Sequence, residues 1–110
     1  MKKTVLNVHV FVLSATAFTT AGAADLTEAM ALAKASGCYS CHANAEKIVG
    51  PSFASVAEKY AGQKDAALEL AMSIQNGSVR KWGRVPMPAH GSLPATDVRK
   101  LAEWVLTIKP

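Results

Sequence analysis

Two cysteines and three histidines are all that 110 residues offer for disulfides or metal ligation, and only 6% of the chain is aromatic. That supply allows at most one disulfide. It leaves a zinc site without a second ligand pair, because beyond residue 24 the only histidines are His42 and His90. Acidic residues are missing from the first 24 positions, and no internal repeat, low-complexity tract or linker interrupts the rest. A dense basic stripe is also lacking: the formal net charge is +4, and two of the twelve basic residues, Lys2 and Lys3, stand at the extreme N-terminus. Arg80, Lys81 and Arg84 cluster, which most often marks a solvated face rather than a nucleic-acid interface, though such a cluster beside a cofactor edge could steer an acidic partner.

The start of the chain reads as an export signal. Lys2 and Lys3 precede a mostly apolar stretch from Val5 to Phe18, interrupted by Asn7, His9, Ser14 and Thr16, and Ala21-Gly22-Ala23-Ala24 close it with small residues. The stretch is too short and too interrupted for a membrane span, so an uncleaved anchor is the weaker alternative. Ala21 and Ala23 offer an Ala-x-Ala cleavage site before Ala24, with cleavage before Asp25 close behind. Residues 1–24 are therefore expected to be a secretory signal peptide and 25–110 a single exported domain. A domain of that size is near the limit at which a core holds without a staple or cofactor.

What the domain does contain is Cys38-Tyr39-Ser40-Cys41-His42. Two thiols three positions apart can add to the two vinyl groups on one edge of a haem and leave the adjacent imidazole under the iron. A redox dithiol would be expected after a strand in a βαβ unit, and no β-branched run lies nearby. A simple disulfide stays open, though it gives His42 no task. Covalent haem with His42 as proximal ligand is the reading that uses every residue of the motif.

Four short helices are expected, hence an all-α fold. Asp25 with Glu28 makes a capping box for the first, reaching about Ala35 with Leu26, Met30 and Ala33 inward, and Gly37 stops it. Phe53, Val56, Ala57 and Tyr60 follow the i, i+3, i+4, i+7 rule, with Pro51 in the first turn and the end near Gly62. Asp65 opens a third helix ending at Asn76-Gly77. Leu68, Ala71, Met72 and Gln75 mark one of its sides, and Leu70 and Ile74 a neighbouring one. Residues 83–93 contain Pro86, Pro88 and Gly91 and cannot be regular helix or central strand. Val98, Leu101, Ala102, Val105 and Ile108 define a last helix from near Pro94.

A haem held by His42 needs a ligand on its other face, and Met87 is the best candidate. Pro86 and Pro88 restrict the backbone on both sides of it and reduce the entropy lost in holding a thioether against a metal. Met30 and Met72 sit at helical spacing, where filling core gaps is the usual role of methionine. His90, on the same loop, is the sharper rival. Histidine and methionine together fill all six iron positions, which suits electron transfer rather than catalysis, and methionine raises the potential. Two other functions remain open: a peroxidase-like enzyme or gas sensor with a displaceable methionine, and a haem-free thiol oxidoreductase.

Taken together, Gly37-Cys38-x-x-Cys41-His42, Val49-Gly50-Pro51, Asn76-Gly77-Ser78, Trp82-Gly83, Pro86-Met87-Pro88 and Leu101-Ala102-x-Trp104-Val105 resemble the small bacterial class I cytochromes c of the c-551 type, across the whole of residues 25–110. The resemblance implies a compact class I fold wrapped around one haem c. It implies that the Pro51 carbonyl accepts a hydrogen bond from the proximal His42, and that the Trp82 indole N–H bonds a haem propionate. Trp104 is then structural, between the last helix and the first, while Val49, Phe53, Leu70, Ile74 and Val105 line the pocket. It further implies a periplasmic carrier, monomeric by default, with redox proteins as partners: a quinol-oxidising cytochrome complex or a dehydrogenase as donor, a terminal oxidase or nitrite reductase as acceptor. Departures are Ser73, where the family commonly has a propionate-pairing arginine that Arg80 would have to replace, and His90, where an asparagine often donates to the methionine sulfur. The link after His90 is also about a residue longer than usual.

Overall fold

The computed structural model describes residues 22–110, so the expected signal peptide lies almost wholly outside the described residues. Four α-helices follow in order: α1 (Ala23–Ala35), α2 (Phe53–Tyr60), α3 (Ala66–Asn76) and α4 (Ala95–Val105), with a 3-10 turn at Cys38–Ser40 between the first two. The described residues form no strand beyond one isolated bridge, Ser78 with Met87.

α1 starts three residues earlier than its capping box would place it. Ala23 and Ala24, good helix formers, carry the helix back to a Gly22 cap without a side-chain bond, and Asp25 falls in the first turn, where its charge suits the helix dipole. Its end agrees with expectation: Gly37 takes φ +79° beyond the Ser36 cap, which turns the chain into the cysteine segment. The buried residues of α1 are Ala29 and Ala33, while Leu26 is exposed. Small side chains let α1 lie close against Ala102 of α4, and Lys100 Nζ reaches Glu28 Oε1 at 2.6 Å across the crossing. That pair is at the surface and adds little.

Ser52, rather than Pro51, begins α2: its Oγ accepts from the Ser55 N–H at 3.1 Å, leaving Pro51 just outside the helix. Phe53, Val56, Ala57 and Tyr60 are all buried, as their spacing requires. In α3 the inward stripe is Leu70 with Ile74, and Leu68 and Met72 face solvent, so Met72 fills no core gap. α4 buries Val98, Leu101, Ala102, Trp104 and Val105 and is the common floor on which α1, α2 and α3 rest. No helix among the described residues is long and apolar enough to cross a membrane. The helices enclose one side of a cavity, and two loops, 41–52 and 77–93, close it.

Candidate haem site

The 3-10 turn presents both cysteines, free and half-buried, at the wall of a cavity of about 340 Å³. Burial pushes the Cys38 thiol above its ordinary value against an opposing backbone hydrogen bond. Among the described residues no three of His, Cys, Asp and Glu converge as a metal site of their own.

His42 follows directly, its N–H bonded to the Cys38 carbonyl at 3.0 Å. Its Nδ1 lies 2.7 Å from the Pro51 carbonyl oxygen. A carbonyl can only accept, so Nδ1 carries the proton and Nε2 keeps its lone pair for a metal. Phe53 stacks on the ring at 5.0 Å between centroids and 20° between planes. Gly50 completes the clamp: its N–H bonds the Cys41 carbonyl at 2.8 Å, and a Cβ placed there would stand 2.6 Å from His42 Cε1.

The opposite wall is built by the proline-rich loop. Met87 is pinned to Ser78 by a reciprocal pair, Ser78 N–H to the Met87 carbonyl at 3.1 Å and Met87 N–H to the Ser78 carbonyl at 2.9 Å. His90 N–H bonds the Ile74 carbonyl at the end of α3, at 2.9 Å. Gly77, at φ +74°, permits the close approach, since a Cβ would lie 2.6 Å from the Met87 carbonyl oxygen. Gly77→Ala is expected to cost roughly 1–3 kcal/mol from left-handed strain and this contact together. For a domain of this size that lowers Tm by about 4–8 °C per kcal/mol. A thermal melt with an unchanged midpoint would contradict it.

Met87 and His90 both line the cavity, as do Val49, Phe53, Leu70, Ile74 and Val105. Met30 and Met72 do not. Trp82 stands half-buried at the rim with Lys59 Nζ 4.4 Å over its ring. The cation beside Ser73 is Lys81, not Arg80. Lys81 Nζ donates to Ser73 Oγ at 3.0 Å and to Glu69 Oε1 at 3.1 Å, whereas Arg80, at φ +60°, turns away from the lining. The Glu69 carboxyl is held below the usual range by the Lys81 hydrogen bond first and by Tyr60 second. The Lys81 ammonium is raised: desolvation opposes the shift, but the Glu69 hydrogen bond and the nearby Tyr60 and Glu69 charges outweigh it.

Two side chains escaped the sequence reading. Tyr39, inside the Cys-x-x-Cys pair, packs edge-on against Phe53 at 5.6 Å and contacts Trp104 at 6.4 Å, while its hydroxyl donates to Asn44 Oδ1 at 2.8 Å. Trp104 lies 5.1 Å from Phe53, so this aromatic group fastens the cysteine turn to α2 and α4. An aromatic between the two cysteines was the available signal. The second is Lys81, for which loop sequence carries no period to read.

The fit to haem rests on these contacts: two thiols on one wall, a bare imidazole nitrogen beside them, a thioether opposite, and an otherwise mainly apolar lining. The comparisons agree. The cytochrome c family model matches residues 26–109. The chain is 44% identical over 78 residues to cytochrome c-552 of Nitrosomonas europaea, covering 71% of this chain and 76% of that one. It is 49% identical to cytochrome c-552 of Hydrogenobacter thermophilus over 71% of this chain and 79% of that one. To cytochrome c-551 of Pseudomonas aeruginosa it is 46% identical over 71% and 74%. The fold is similar to the crystal structure of Nitrosomonas europaea cytochrome c552, with a TM-score of 0.71 and 42% identity over 73% of this chain and 99% of that one.

Proposed function

The chain belongs to the cytochrome c family, and on that premise we propose that it is a periplasmic one-electron carrier whose haem c is ligated by His42 and Met87. The observation that carries this reading is the convergence of Cys38, Cys41, His42 and Met87, from two separate loops, on one cavity. When bound, the group supplies a one-electron Fe(III)/Fe(II) couple; the chain does the rest.

Cys38 and Cys41 hold the macrocycle covalently. Pro51 fixes the His42 tautomer and raises its basicity, leaving Nε2 to the iron. The backbone bridge to Ser78 holds Met87 opposite. If His42 and Met87 both hold the iron, the protein would leave no position on it for a substrate, which favours a carrier over an enzyme. The apolar lining excludes water and, with the thioether, favours the reduced state.

Val49 and Val85 line the cavity yet are 47% and 64% exposed, and Ile48 beside them is 56% exposed. Such a patch, with Lys47 and Arg84 next to it, suits brief contact with redox partners. A quinol-oxidising complex or dehydrogenase as donor and an oxidase or nitrite reductase as acceptor fit a carrier on the oxidising side of a respiratory chain. Export is supported by Lys2-Lys3, the apolar stretch and the Ala-x-Ala site.

The test is optical. Purified protein should stain for haem after denaturing electrophoresis and show a six-coordinate low-spin ferric spectrum that cyanide leaves unchanged on the mixing timescale. It should also titrate reversibly with one electron. Rapid cyanide binding or a high-spin spectrum would overturn the carrier in favour of an open-site haem protein.

A further inference from the structure

Lys81 is the one lysine or arginine among the described residues lining the cavity, and no aspartate or glutamate lines it. Haem brings two carboxylates into the pocket that receives it. Attachment through its vinyl groups leaves them at the opposite edge of the macrocycle, and a carboxylate carried toward an apolar wall without a partner meets a steep desolvation cost. Resting on the haem reading above, we infer that Lys81 is the counter-cation of a haem carboxylate, held at the cavity wall by Glu69, Ser73 and Tyr60.

The neighbours of Lys81 are arranged for that task. Glu69 and Ser73 stand one turn apart on α3, and the Ser73 hydroxyl spends its proton on the Glu69 carbonyl at 3.1 Å. It therefore meets Lys81 as an acceptor. Glu69 Oε1 also accepts from the Tyr60 hydroxyl at 3.2 Å, so α2 and α3 jointly fix the acid that fixes the lysine. An ammonium has three donors: Glu69 and Ser73 take two of them, and the Tyr60 hydroxyl interacts with the same ammonium. Lys59, from α2, lies over Trp82 outside the cavity lining and acts on Glu69 as well, so the Glu69 charge is shared between two cations. A serine at position 73 leaves room for the lysine to reach in from the loop.

The alternative is mechanical, in which Lys81 only ties the loop to α3. That role changes stability and leaves the redox equilibrium alone. The two are separated by optical redox titration from pH 5 to 9 of the haem-loaded parent, Lys81→Ala, Lys81→Arg and Glu69→Gln. Loss of a cation near the iron favours Fe(III). Lys81→Ala should lower the reduction equilibrium constant roughly threefold, about 28 mV at 59 mV per tenfold, and move the carboxylate-linked bend of the pH profile upward. His90, which lines the same cavity, is present in parent and variants alike, so the difference between profiles isolates Lys81. Lys81→Arg should restore both quantities, and Glu69→Gln should move the midpoint in the opposite direction. The inference is overturned if Lys81→Ala keeps the parent's midpoint and profile. It is overturned equally if Lys81→Arg is displaced as far as Lys81→Ala, or if Lys81→Ala and Glu69→Gln shift alike. A parent without covalent haem overturns the carrier reading together with this one, whereas a loaded parent with unmoved variants overturns this one alone.

Discussion

Met87→Ala is expected to lower the midpoint by on the order of 100 mV or more, a modest part of the ~0.8 V over which axial ligands set haem potentials. On the proposed ligation, removing the thioether would take away the ligand that favours Fe(II) and open the iron to added ligands. The variant should become high-spin in the ferric state and bind cyanide on mixing. His90 lines the same cavity and is the one side chain placed to compensate, but its backbone is fixed to Ile74 at the end of α3. His90→Ala should accordingly keep the low-spin spectrum. An unchanged spectrum and midpoint in Met87→Ala would remove Met87 from the coordination sphere and bring His90 forward.

Gly50→Ala should be a severely damaging one-carbon change. The added methyl would stand 2.6 Å from Cε1, 2.9 Å from Nδ1 and 3.1 Å from Nε2 of His42. The ring cannot retreat, because Phe53 stacks on it and Nδ1 is tied to Pro51. Overpacking costs about 1–3 kcal/mol and the lost hydrogen bond about 1 more, so the variant should melt at a markedly lower temperature. It should also accumulate less haem-loaded protein. Pro51→Ala is the control: it keeps the carbonyl that His42 uses and should lose far less. A Gly50→Ala protein with the parent's spectrum and Tm would show that the ring is not confined by the backbone.

α2 and α4 were legible because each carries one apolar stripe at helical spacing, and a single stripe leaves no choice of face. α3 was not. Leu68, Leu70, Met72 and Ile74 alternate, which makes two stripes of equal hydropathy, and only the position of α4 selects Leu70 with Ile74. In α1 the pattern placed Leu26, Met30 and Ala33 inward; Ala33 is buried and Met30 packs against the core, but close helix crossing demands small residues and buries Ala29 while Leu26 stays exposed. The cysteine motif and its histidine were plain because the chemistry sits in consecutive residues. Met87 could be chosen because two prolines mark its loop. Lys81 is different: its role depends on reaching α3 from an irregular segment, a relation that no local spacing encodes, and attention fell on Arg80 one position away.

The bridge between Ser78 and Met87 has a consequence for how the protein comes apart. On the imidazole side the chain is anchored by backbone bonds at Gly50, Phe53 and Ala54 and by a capped helix, whereas the sulfur side hangs from the bridge, one backbone bond at His90 and the exposed Lys81 side chain on Glu69 and Ser73. At roughly 1 kcal/mol per bond, the proline loop can swing out at a small fraction of the cost of global unfolding. Damage is then one-sided: heat or denaturant frees the sulfur first, and amide exchange at Ser78 and Met87 should outpace that at Gly50 and Phe53. The thioethers keep the cargo leashed throughout, so reclosure needs no search for a lost cofactor.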